Sequence, residues 1–197
     1  MNLFVLNSGR CGSMTFIRAC GHIRNFSAGH ETRAQLLGEQ RLAYPTNHIE
    51  ADNRLCWLLG RLDAAYGDRA YYLHLSRDPA ATAASFARRS RFGIMQAYRE
   101  GILLHDRPRA SDLALAEDYL QTVQANIALF LRGKPHQMAF RLERAKQDFR
   151  QFWEWIGAEG DRAAALAEWD IAHNAGLPPA APRTGLSTPG DDPEGGI

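Results

Sequence analysis

Lysine is nearly missing from this chain of 197 residues. Lys and Arg together number 23, but only Lys134 and Lys146 are lysine, which leaves 21 arginines. Asp and Glu number 22, so the formal net charge is only +1. That balance argues against a protein that coats nucleic acid or another polyanion, which needs a large basic excess. Long apolar runs are missing too. No stretch of 18 apolar residues exists, so no membrane-spanning helix is expected. The opening MNLFVLNSGR is too short in apolar character for a secretory signal and runs straight into Gly and Arg. Cysteine occurs only as Cys11, Cys20 and Cys56, at spacings that match no zinc pattern. An odd count without a signal segment points to free thiols and a reducing, cytoplasmic location.

What is present is ordinary in bulk. Hydrophobic residues make up 45% and charged residues 23%, as in a globular domain. Residues 1–175 are expected to form one domain. Residues 176–197 hold five Pro and five Gly and read as a tail without a core of its own. GC-rich codon usage accounts for an arginine bias without any function, so positions carry more information than the total.

Residues 2–7 (NLFVLN) read as a buried strand ending in a tight Ser8-Gly9 turn, followed by a helix over 13–20. Residues 22–27 alternate weakly and suggest a second strand. Leu55, Leu58, Leu59, Leu62 and Tyr66 share one face of an expected helix over 50–66. Residues 70–76 (AYYLHLS) read as a strand. Asp78-Pro79 then caps a helix that continues through Arg89. A long helix is expected over 111–131, with Leu113, Leu120, Val123, Ile127 and Phe130 inward. A strand over 136–142 and helices over 144–156 and 161–170 complete the pattern. Strands alternating with helices imply an α/β fold, a parallel sheet with helices on both faces. Ligands of such sheets bind beyond the carboxyl ends of the strands, which singles out the junctions at 7–14 and 76–86.

The first junction is Ser8-Gly9-Arg10-Cys11-Gly12-Ser13-Met14. Glycines let the backbone curl its N–H groups inward, the following helix adds its unpaired N–H groups, and Arg10 and Ser13 add a charge and a hydroxyl. The alternative is a plain glycine-containing turn; the order strand, turn, Arg, Gly, Ser, helix favours an anion site. It is not a Walker A loop, since no Lys follows the glycine. Cys11 is either a thiol activated by Arg10 and the helix end or, more simply, a passive small residue. At the second junction Arg77 ends a strand and Ser85 lies two helical turns on. Arg77 meets either a second anion or a carboxylate, and Ser85 is either a second donor to that anion or a small packing residue.

Taken together, the two junctions resemble the superfamily of sulfotransferases that use 3′-phosphoadenosine 5′-phosphosulfate (PAPS) on a P-loop-like α/β fold. Arg10-Cys11-Gly12-Ser13 is similar to the family's first signature, and Arg77-Asp78-Pro79 with Ser85 to its second. Arg141-Leu142-Glu143 and the later Ile156-Gly157 are weaker likenesses to its third element. The resemblance covers about residues 3–157. It implies that Ser8, Gly9, Arg10, Cys11, Gly12, Ser13 and Met14 hold the 5′-phosphosulfate, and that Arg77 and Ser85 hold the 3′-phosphate. It also implies a metal-free transfer to a small-molecule or carbohydrate acceptor, leaving the product PAP, with a general base past the first helix. Glu31 and His30 are the candidates, with His48 in reserve; Glu50 beside it reads equally well as a charge at a helix N-terminus. Departures exist. Ala81 replaces an acidic residue, and the family's closing RKGxxG element is missing. Arg183-Thr184-Gly185 is a thin substitute, and Arg88 or Arg89 is another. A P-loop phosphotransferase and a non-catalytic PAP-binding protein are the competing functions.

Overall fold

The computed structural model of the protein describes residues 1–104 and 110–171. The tail at 176–197, with Arg183, Thr184 and Gly185, lies outside the described residues. β1 (Asn2–Leu6) is buried along its whole length, as an apolar run in the middle of a parallel sheet must be. Successive side chains point to opposite faces of a strand. Phe4 and Leu6 therefore join one core, and Leu3 and Val5 the other. Four further strands complete the sheet: β2 (Ser27–His30), β3 (His48–Ala51), β4 (Tyr71–Ser76) and β5 (Gln137–Arg141). Their order is β2-β3-β1-β4-β5, and every pairing is parallel. This is the α/β fold expected from the pattern.

Helices cover both faces. On one face α1 (Ser13–Cys20), α6 (Ala145–Trp155) and α7 (Arg162–Ala167) bury Phe16, Phe149, Phe152 and Ala165 against Leu73, Leu75 and Phe140. On the other face lie α2 (Leu59–Tyr66), α3 (Pro79–Ala87), α4 (Gly93–Ala97) and α5 (Asp112–Leu131). There Leu62, Phe86, Met95, Tyr119, Val123 and Ile127 pack on Phe4, Leu6 and Tyr72. The expected caps are formed: the Asp78 carboxylate accepts from the Ala81 N–H at 2.8 Å with Pro79 in the first turn, and the Ser111 hydroxyl accepts from Ala114 at 3.1 Å.

Three local expectations fail. The strand expected at 22–27 falls instead at Ser27–His30, and Ile23 makes only an isolated antiparallel bridge to Gly160. Residues 50–66 are not one helix. His48–Ala51 is an inner strand, Asn53–Trp57 is a 3₁₀ turn, and the α-helix starts at Leu59. The alternation of His48, Glu50 and Asp52 with Ile49 and Ala51 is only five residues long, and the helical spacing of Leu55, Leu58, Leu59 and Leu62 that follows masks it. The polar face is buried anyway, since tertiary partners satisfy it: the Thr32 N–H and hydroxyl donate to Glu50, and Arg41 pairs with Asp52. Glu50 is consequently no helix-end charge. Finally, Leu113 is exposed in the first turn of α5, and Leu115 and Ala116 are its first side chains in the core.

Candidate functional site

The chain runs from β1 to β2 and β3 on one side, then crosses to β4 and β5 on the other. The strand order thus reverses at the β1–β4 boundary, where parallel sheets place their ligands. A cleft of about 540 Å³ opens there, within the ~300–1,000 Å³ usual for ligand sites. Its lining comes from the ends of all five strands: Arg10, Gly12 and Ser13 after β1, His30 and Glu31 at the end of β2, Asn53 and Arg54 after β3, Arg77 after β4, and Leu142 after β5.

The β1 loop is held tightly. Gly9 and Gly12 both have φ of 89°, and Arg10 has φ of 58°, a conformation costly for a residue with a side chain. A Cβ on Gly12 would stand 2.7 Å from Leu142 Cδ1, so this position needs glycine for space as well as for φ. The Asn7 side chain accepts from the Gly9 N–H at 2.9 Å and stabilises the turn. Ser8 and Cys11 are buried, and neither lines the cleft. Burial pushes the Cys11 thiol up to about 12 despite nearby N–H groups of Gly9, Cys11 and Ser13. It is a packed thiol and not an activated one.

Arg10 does not stay on its own loop. Its Nε donates to Ser85 Oγ at 3.0 Å, so the two junctions form one continuous site. Ser85 is itself buried and acts on the cleft through this contact. Arg77 donates from Nη1 to the Arg10 carbonyl at 3.4 Å. Arg89, two residues past the end of α3, also faces the cleft. Burial first, then the Arg89, Arg77 and Arg88 guanidinium groups, depresses the Arg10 pKa below its ordinary value. Cations held this close repel one another, and an anion between them removes that repulsion. Arg89 entered the sequence reading only as a substitute for a missing element; its position after a half-buried helix turn beside Phe86 was the available signal.

The opposite wall is electrically paired. Glu31, with φ of 54°, meets Arg54 Nη1 at 2.9 Å. Burial works against the Arg54 charge, but Glu31 and Asp52 outweigh it and hold the guanidinium above its ordinary pKa. His30 Nε2 lies 3.0 Å from Ser13 Oγ, which places it against the β1 loop. Both sequence candidates for the base therefore reach the cleft. His48 does not. It is buried between Ser27 Oγ at 2.8 Å and Glu50 Oε2 at 2.9 Å, stacked on Tyr44. Phe86, Phe92, Ile94 and Met95 form an apolar wall from the α3–α4 layer, and Met14, Leu142 and Trp169 one from the other layer. The lining of Asn53, Arg54 and α4 was not read from sequence, because the helix expected at 50–66 concealed the strand that positions the first two. Among the described residues no group of three or more His, Cys, Asp or Glu side chains is placed to hold a metal ion.

No family model matches the sequence, and no curated protein matches it. Solved structures do match in fold. The chain is similar to the sulfotransferase domain from the curacin biosynthetic pathway, with a TM-score of 0.60 and 14% identity over 83% of this chain and 75% of that one. It is also similar to the mouse sulfotransferase SULT7A1 complexed with PAP, with a TM-score of 0.51 and 13% identity over 86% of this chain. It spans 63% of that mouse chain, under two thirds of its length. The five-stranded parallel sheet with its flanking helices is thus the sulfotransferase fold.

Proposed function

We propose that this protein is a PAPS-dependent sulfotransferase acting on a hydroxyl-bearing small molecule or carbohydrate. The observation that carries the reading is the row of Arg10, Arg77 and Arg89 along one cleft at the β1–β4 boundary of a sulfotransferase fold. A donor with phosphates at both its 3′ and 5′ positions supplies the anions such a row needs. Arg77 and Ser85 serve the 3′-phosphate. Arg10, Gly12, Ser13, Met14 and the first turn of α1 serve the 5′ end, where unpaired helix N–H groups and the dipole favour negative charge.

When bound, PAPS supplies an activated sulfuryl group that passes to an acceptor oxygen as its bond to the 5′-phosphate breaks. The residues' part is positioning and charge stabilisation. Arg10 and Ser13 stabilise the negative charge that collects on the 5′-phosphate. His30 stands within hydrogen-bond distance of the Ser13 hydroxyl, which favours it as the base that takes the acceptor proton. Glu31, tied to Arg54, faces the acceptor instead and orients it. The acceptor then sits between this polar wall and the apolar wall of Phe86, Phe92, Ile94 and Met95.

Thermal denaturation with ligands tests the reading. PAP at about 100 times its dissociation constant adds roughly 2.7 kcal/mol to stability, seen as a raised melting temperature without Mg²⁺. A shift with Mg-ATP alone overturns it in favour of a phosphotransferase. A PAP shift without transfer from labelled PAPS to any acceptor class points to a non-catalytic PAP-binding protein.

A further inference from the structure

A phosphate loop works only if its carbonyl oxygens face away from the anion. In the β1 loop each carbonyl of residues 7–10, and that of Gly12, accepts from an internal donor. Cys56 Sγ donates to Asn7 O at 3.2 Å, Ser8 Oγ to Gly9 O at 3.2 Å, Arg77 Nη1 to Arg10 O at 3.4 Å, and Phe16 N to Gly12 O at 2.9 Å. The Ser8 carbonyl has the strongest partner. Tyr119 Oη donates to it at 2.8 Å across 111 residues of sequence, with Asn53 Nδ2 a longer second donor at 3.4 Å.

Tyr119 is well suited to hold a backbone group still. It sits near the middle of α5, fully buried, with its ring against Phe86 at 5.2 Å and Tyr98 at 5.4 Å. A thiol is a weak donor and the Arg77 contact is long, whereas a tyrosine hydroxyl at this distance is a full hydrogen bond. Burial also raises the Tyr119 pKa, so it stays a donor at physiological pH.

We propose that Tyr119 is a positioning residue for the anion loop, turning the Ser8 carbonyl inward so that the loop offers amides and Arg10 to the 5′-phosphate. This rests on the reading of the cleft as a PAPS site. Without the hydroxyl, the buried carbonyl keeps only the long Asn53 contact. Its peptide is then free to rotate and present oxygen to the ligand phosphate. The effect falls chiefly on the 5′ end of the ligand, since Arg77 and Ser85 touch the loop at Arg10 and not at Ser8.

Calorimetric titration of Tyr119→Phe with PAP and with 3′-AMP, which lacks the 5′-phosphate, separates this role from a general structural one. The expected result is a PAP dissociation constant raised about tenfold, with 3′-AMP affinity within about twofold of wild type. Asn53→Ala removes the second donor and is expected to show the same selectivity at smaller size. It also serves if the Tyr119 variant does not fold. Tyr98→Phe, whose hydroxyl bonds Asp118 and Thr122 and not the loop, is expected to bind both ligands as wild type does. Unchanged PAP affinity in both loop-donor variants, or equal weakening for both ligands, overturns the proposal. A wild-type protein that binds neither ligand overturns the functional reading and this proposal with it.

Discussion

The two halves of the sheet's carboxyl edge are charged in opposite styles. At the β1–β4 boundary, Arg10 and Arg77 stand together beside Arg89, and the contacts of Arg10 and Arg77 are to a hydroxyl and a carbonyl. At the β2–β3 ends, cations and carboxylates are matched: Arg41 with Asp52 and Arg54 with Glu31. The first half gathers positive charge around an open cleft. The second neutralises itself and spends that energy on geometry, fixing Glu31 and Arg54 in place. Affinity and stability should therefore separate between the halves.

The largest effect is expected on the paired side. Asp52 is fully buried and its partner Arg41 is only 4% exposed. Asp52→Ala leaves that guanidinium buried and uncompensated, at about 3–5 kcal/mol of stability. Chemical denaturation should register this, and a loss under ~1 kcal/mol would break the contrast, since it would match an exposed pair. Next comes His30. With PAP affinity preserved, His30→Gln should lower the transfer rate from labelled PAPS by about 10²–10⁴-fold. Equal rates would move the base to Glu31, on the paired side.

On the arginine-lined side, Arg77→Ala should weaken PAP about 10–100-fold, the range of one charge-assisted hydrogen bond. The ligand-free melting temperature should move by no more than about 2 °C. A large stability loss with unchanged affinity would reverse the assignment of the two halves. The smallest effect concerns His74, whose pKa burial in β4 lowers. A folded pKa below the unfolded one means that the unfolded chain binds more protons as pH falls. Stability should thus be full above the unfolded value of about 6.5 and decline below it. His74→Gln should flatten that decline in melting temperature between pH 7 and pH 5.

The arginine-lined half was largely legible in sequence and the paired half was not. Arg10, Gly12, Ser13, Arg77 and Ser85 lie within two short junctions, each marked by local chemistry: glycines, a proline cap and strand-ending arginines. The site they make differs from the expectation in one respect, because Arg10 reaches Ser85 and so links the two junctions directly. The β2–β3 half depends on residues far apart in sequence. Thr32 satisfies Glu50 and Arg41 satisfies Asp52, and without those partners in view the short alternation of HIEAD is outweighed by the helical spacing after it. Misplacing that strand also hid Asn53 and Arg54.

By itself, then, the sequence determined the alternation of elements, the apolar centre of the sheet and the glycine positions that only a tight loop tolerates. These follow from local sterics and from periodicity, which neighbours in sequence fix. Only the tertiary structure decided which buried charges meet and which helix holds the loop's carbonyls. The same holds for the thiol of Cys11, which packs silently beside a row of arginines. Desolvation and Coulomb energy depend on distances between residues that the chain brings together only when it folds.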